Sequence, residues 1–162
     1  MWAYGLRNPF TFAVEPVTGR IHISDVGEVT WEEIDVGSAG ANYGWPGSEG
    51  PDNVAGNIVA PLFTHKHVDA APAGSGPGCF FEGAAITGGA FYPAAGTFPA
   101  DYRGRYYFAD VVNRFVGRLD AANGNAADAF ASLTGSPFDL RVAGDGALLV
   151  LTRNGVTRIT AP

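Results

Sequence analysis

The chain has 162 residues, 46% of them hydrophobic and 16% charged, proportions of a folded globular chain rather than a disordered one. Against 16 Asp+Glu stand 10 Lys+Arg, a net charge of −6, which argues against nucleic acid or an anionic membrane surface as partner, because both require clustered cations. No apolar run reaches the ~20 residues of a membrane helix, Met1–Gly5 lacks the basic start and apolar core of a signal peptide, and the single cysteine, Cys79, excludes an internal disulfide.

Along the chain, short runs rich in β-branched and aromatic residues, bounded by Gly, Pro, Asp or Asn, predict strands. "FTFAVEP", "GRIHISD" and "WEEIDVG" come first, within residues 1–40. A long irregular stretch, 41–83, follows and reads as an inter-blade loop region. "GGAFYP", "GRYYFAD" and "RFVGRLD" fall within 84–133, and "FDLRVAG", "GALLVLT" and "GVTRIT" within 134–162. The weak helical spacing of "AANGNAADAFASL", Ala121 to Leu133, contains an Asn-Gly pair and reads as a loop.

Three successive antiparallel meanders of one plan indicate a repeat, and blades of about four strands and ~40–50 residues suit the spacing. The expected fold is therefore all-β: one partial propeller domain with a first blade at 1–40, a second at 84–133 and a last, incomplete blade at 134–162. Propeller rings close with roughly four to eight blades. About three blades leave open edges, so either an N-terminal half-propeller or a second copy of the chain is expected to complete the ring.

In such a meander the residues before the first strand and the loop after the second share one rim. That places Arg7, Asn8 and the loop Asp25–Glu28 with Asp110–Asn113 and with Arg153 and Asn154. The mixed charges suit an anionic ligand, a hard cation or both, and equally suit loops that are polar because they are solvated. His65, His67 and Asp69 in "HKHVD" read as a solvated loop rather than a metal site, and His22 as a packing or hydrogen-bonded residue. Glu32 and Glu33 are neighbours on one strand and point to opposite faces. Trp45 is the aromatic residue whose loop can reach a binding rim; the others read as blade packing.

The stretch "YGLRNPFTFAVEPVTGRIHISDVGEVTWEEIDVGSAGANYGWPGSEG", with "ITGGAFYP" and "FPADYRGRYYFADVVNRFVGRLD" after it, resembles the glucose/sorbosone dehydrogenase family. That family contains the soluble quinoprotein glucose dehydrogenases and the aldose sugar dehydrogenases, and the propeller of hedgehog-interacting protein is similar to it. The resemblance implies a six-bladed propeller of which this chain is the C-terminal half. It implies pyrroloquinoline quinone (PQQ) and calcium on one rim, a sugar as substrate, and oxidation of its anomeric hydroxyl to a lactone. Arg7 and Asn8 match the pair that contacts the quinone, a guanidinium being suited to its carboxylate and carbonyl oxygens. Gly27 and Glu28 match the Gly-Pro whose carbonyls bind calcium, with the proline replaced. Ser136 and Phe138 stand where the family has two further arginines, and Arg153 is the rim cation expected to substitute. The catalytic histidine of these enzymes belongs to the N-terminal half, so no catalytic residue is expected here. The resemblance also implies the periplasm or the cell exterior as the location. Two other expectations stay open beside the enzyme: a non-catalytic propeller that binds a protein or glycan, and a half-propeller that pairs with itself.

Overall fold

A computed structural model describes residues 1–52, 55–67, 82–120 and 126–161. Cys79 and Asp69 lie outside the described residues. Among the described residues, twelve strands form three sheets. The first sheet holds β1 (Pro9–Val14), β2 (Ile21–Asp25), β3 (Trp31–Gly37), β4 (Phe63–His67) and the two-residue β5 (Glu82–Gly83), in that order. The second runs β6 (Ile86–Phe91), β7 (Tyr106–Asp110), β8 (Phe115–Asp120) and β9 (Ala126–Ser132). The third holds β10 (Pro137–Val142), β11 (Leu148–Thr152) and β12 (Gly155–Ile159). Among the described residues there is no α-helix, only a 3-10 turn at Ala100–Tyr102.

Each sheet is a meander of antiparallel neighbours, apart from the parallel contact of β5 with β4. The innermost strands β1, β6 and β10 stand side by side, as the inner strands of successive propeller blades do. All nine runs read as strands in the sequence are strands here. Three strands were not legible: β4 and the two-residue β5, within the stretch expected to be a loop, and β9, within the Ala-rich segment. β4 exists because β3 needs a partner on its outer edge, and its register sets Trp31 opposite Lys66 and Glu33 opposite Thr64. β9 pairs along β8, and this supplies the backbone bonds that its weak side-chain signal does not advertise.

Strand alternation splits β7 between two cores. Tyr106 and Phe108 pack with Ala13, Ile34, Ile86 and Phe115 against the first sheet. Tyr107 and Ala109 pack with Tyr92, Leu140, Leu148 and Val150 against the third. All five β7 residues are buried in consequence. The outer sheets lack a neighbour on one side, and Phe10, Phe12 and Val14 on β1 and Val156 on β12 are exposed.

Hydroxyls tie the sheets together where strands meet. Ser24 donates to the Gly88 carbonyl at 3.0 Å, and Thr87 donates to the Pro137 carbonyl at 3.0 Å. Tyr92 donates to the Gly146 carbonyl at 2.5 Å while accepting the N–H groups of Thr97 and Phe98. Gly117 leaves space for the Phe108 ring; a Cβ there would lie 2.5 Å from its Cζ. Gly117→Ala therefore overpacks this core, and urea unfolding should show a loss of about 1–3 kcal/mol with the m-value unchanged.

His22 on β2 is buried with its ring 4.7 Å from that of Phe91 and 4.6 Å from that of Tyr106, and neither ring nitrogen has a partner among the described residues. Burial, reinforced by the nearby Arg20 charge and opposed by Glu15, lowers its pKa from 6.5 to about 4. The unfolded chain takes up this proton before the folded one does, so the contribution of His22 to stability falls as pH drops from 6.5 toward 4. In thermal melts recorded from pH 7 to pH 4, the melting temperature of His22→Phe should rise relative to that of the parent chain as pH drops.

Candidate functional site

The first corner of the site is built by one carboxylate. Asp25 ends β2 directly opposite Pro9, and it accepts the backbone N–H of Arg7 at 2.9 Å and of Asn8 at 2.6 Å. Pro9 keeps Asn8 out of the helical region, so both N–H groups can face the same carboxylate. The Arg7 guanidinium lies half-buried, donating through Nη1 to the carbonyls of Val26 at 3.0 Å and Gly27 at 2.6 Å. Its central carbon sits 5.6 Å from the Trp45 ring centre, within cation–π range. Trp45 is delivered there by a run of backbone bonds, Tyr43 N–H to the Tyr4 carbonyl and Trp45 N–H to the Gly5 carbonyl. The Asn8 carboxamide is exposed and has no partner among the described residues.

The loop after β2 is folded round a second carboxylate. Glu49 Oε1 accepts four successive backbone N–H groups, from Glu28, Val29, Thr30 and Trp31, at 2.7 to 3.3 Å. Burial raises the Glu49 pKa, but these four bonds together outweigh it and hold the carboxyl below its ordinary range. The loop closes so tightly that a Cβ on Gly27 would lie 1.7 Å from the Trp31 carbonyl oxygen. Glu28 thus serves the loop through its backbone N–H. Gly27, expected to offer its carbonyl to calcium, offers it here to Arg7.

Behind this corner lies a group of acids that the sequence reading passed over. Asp25, Glu33 and Asp35 each place a carboxylate oxygen within 4.8 Å of the other two, all buried. Glu33 accepts the Gly50 N–H. Asp35 is 0% exposed, and neither of its oxygens has a partner among the described residues. Burial, with the neighbouring Asp25, Glu49 and Glu32 charges, pushes Glu33 up to about 7; burial, with Glu33 and Asp25, pushes Asp35 up to about 8. Asp25 is also raised by burial, against the pull of its two N–H bonds. Three such groups cannot all ionise together unless a cation is shared between them, and a hard oxygen-seeking cation is the chemical match. The signal was present in "WEEIDVG": acids at i and i+2 share a strand face, and Asp25 stands opposite Glu33 in the register.

The histidines of "HKHVD" are not in a solvated loop. They lie on β4, with His65 2% exposed. His67 Nδ1 is 2.5 Å from Glu32 Oε1, and Glu32 Oε2 accepts the Ile86 N–H at 2.9 Å. His65 Nε2 is 3.5 Å from Asp110 Oδ2, its ring packed near Phe108 and Phe115. Asp110 also accepts N–H groups of Ala85, Val112 and Asn113. Both imidazoles find carboxylates, which lets a polar strand be buried between sheets. Glu32 and Glu33 take separate partners on opposite faces, as alternation requires.

The rim residues do not form one contiguous set. Arg7, Asn8, Asp25 and Gly27 come together; Asp110 organises the second sheet's loop. Arg153 and Asn154 line a separate depression of about 220 Å³ with Arg114, Thr134, Ser136 and Thr152, with no aromatic side chain in its wall.

The chain is 36% identical over 132 residues to HIPL1 protein of Arabidopsis thaliana, an alignment covering 72% of this chain and 17% of that protein. A crystal structure of a glucose dehydrogenase superposes with a TM-score of 0.78 at 22% identity, covering 99% of this chain and 47% of that one. The PQQ-bound aldose sugar dehydrogenase of Streptomyces coelicolor superposes with a TM-score of 0.70 at 23% identity, covering 94% and 39%. These two likenesses show the fold, and the chain spans less than half the length of each of these proteins. The Glucose / Sorbosone dehydrogenase family matches over residues 1–161, and the chain belongs to that family.

Proposed function

We propose that this chain is the C-terminal part of a PQQ-dependent sugar oxidoreductase that oxidises a sugar hydroxyl to the lactone. The observation that carries the reading is the Arg7–Asn8 pair, held at the rim through its own backbone by Asp25. A guanidinium with donors left over after two carbonyl contacts, an adjacent carboxamide and an indole face fit a flat, polyanionic cofactor. When bound, the quinone would accept the two electrons that leave the sugar carbon. The contribution of this chain is to bind and orient: Arg7 neutralises charge, Asn8 adds a directional amide, and Trp45 supplies an apolar wall. The general base belongs to the remainder of the parent, so the isolated chain is inactive. A periplasmic or extracellular site of action and an N-terminal half-propeller as partner belong to the same proposal.

Calcium is assigned to Asp25, Glu33 and Asp35 rather than to the Gly27 and Glu28 carbonyls. The unpartnered buried oxygens of Asp35 are the feature that favours this set. A second reading, a non-catalytic propeller that binds a protein or glycan, is favoured by Ser136 and Phe138 in place of the arginines that the resemblance implies.

Two measurements test the first reading. In the intact parent, Arg7→Gln should weaken PQQ binding by about 10–100-fold, the worth of a charged hydrogen bond of 1.5–3 kcal/mol; unchanged affinity would favour the second reading. In the metal-free chain, folded Glu33 and Asp35 keep protons that the unfolded chain releases near its ordinary carboxylate pKa. The contribution of these two acids to stability should therefore fall as pH rises from about 4.5 to about 8. Calcium should restore the melting temperature at pH 8, and Asp35→Asn should abolish most of that response.

A further inference from the structure

The depression between the second and third sheets has a character of its own. In a chain of net charge −6, arginines find carboxylates readily: Arg105 pairs with Asp120, Arg118 with Asp128, Arg141 with Asp139 and Arg158 with Asp145. Arg114 and Arg153 both line one concavity, yet neither guanidinium has a partner among the described residues. Arg114 also occupies a backbone conformation with φ 56°, the one non-glycine residue in the left-handed region among those described. It is pinned there from both sides, its N–H on the Asp110 carbonyl at 3.0 Å and its carbonyl accepting the Leu133 N–H at 2.7 Å. Glycine would make this turn without strain, so an arginine here is a candidate for function. Arg153 lines the same depression, with its N–H on the Ser136 carbonyl at 3.2 Å.

The remaining wall discriminates between anions. Thr134, Ser136 and Asn154 supply hydroxyls and an amide, groups that both donate and accept, and Thr152, whose hydroxyl donates to the Gly155 carbonyl at 3.0 Å, supplies an acceptor. Phosphate and sulfate present acceptors to such a wall and leave its acceptors unused, whereas sugar hydroxyls match both roles. A fused aromatic cofactor would need an apolar face, and the lining offers none. At about 220 Å³ the space lies below the ~300–1,000 Å³ of drug-sized ligand pockets, which suits a single small ring.

We infer that this depression is a binding site for a sugar acid, its carboxylate held between the guanidinium groups of Arg114 and Arg153 and its hydroxyls by the Ser, Thr and Asn side chains. The inference stands apart from the quinone reading and assigns Arg153 to a carbohydrate carboxylate instead of the cofactor.

The test is calorimetric titration of the 162-residue chain at low ionic strength with glucuronate, glucose, inorganic phosphate and PQQ in separate runs. Glucuronate should bind saturably and at least tenfold more tightly than glucose or phosphate. Arg153→Gln and Arg114→Gly should each weaken it tenfold or more. Arg114→Gly removes the guanidinium while relieving the backbone, so its melting temperature should be no lower than that of the parent chain. Equal binding of glucuronate and glucose, or no binding of either, overturns the inference. Phosphate binding as tightly as glucuronate also overturns it, reducing the site to a simple oxyanion pocket. PQQ binding that is lost in both variants, without glucuronate binding, overturns it in favour of the cofactor. Loss of PQQ binding in Arg7→Gln leaves glucuronate binding intact, which separates failure of this inference from failure of the quinone reading.

Discussion

The second sheet is buried on both faces, and the rest of the structure is arranged to make that possible. A sheet covered on one side reads as alternating apolar and polar residues; one covered on both reads as a continuous apolar run. β7, with Tyr106, Tyr107, Phe108, Ala109 and Asp110 all buried, is the second kind. Its odd and even residues enter different cores, so neither neighbouring sheet can be removed without exposing large aromatic surface. The same logic explains why Phe10, Phe12 and Val14 remain exposed on β1: they occupy a place equivalent to packed positions in the middle sheet, but no sheet stands beyond them.

Burial on this scale obliges the polar groups trapped between the sheets to find partners. The solutions are specific. Ser24 and Thr87 reach carbonyls of the following sheet, and Glu32 joins His67 to the Ile86 N–H. Asp110 gathers three N–H groups beside His65. Each removes the cost of an unpaired buried group and at the same time sets the height of one sheet against the next. Asp35 differs from Glu32 and Asp110 in being buried with neither carboxylate oxygen partnered among the described residues.

Asp25 links the packing to the chemistry. As the last residue of β2 it belongs to the first sheet; as acceptor for Arg7 and Asn8 it defines the rim; as neighbour of Glu33 and Asp35 it belongs to the acid group. A cation among these acids would strengthen the carboxylate form that holds Arg7 and Asn8 in place. The rim donors and the acid group are therefore coupled through one side chain.

The nine strongest strands, the three-meander plan and the Arg7–Asn8 pair were all legible in the sequence, because each rests on local information: period-two patterning, turn residues, and a proline that restricts its predecessor. β4 and β9 were not, since a strand whose side chains are histidine, lysine, alanine and serine is defined by the edge it completes. The nearness of Asp25 to Glu33 and Asp35 needed the β2–β3 register, the pairing of His65 with Asp110 needed two sheets in contact, and the Arg114–Arg153 depression needed three loops from two sheets. What the sequence alone determined was which segments are strands and which residues stand at their ends. Which of those ends meet, and which carboxyl groups are buried beside one another, was decided only by the packing of strand on strand and sheet on sheet, because burial and proximity are properties of the assembled structure and not of any one segment.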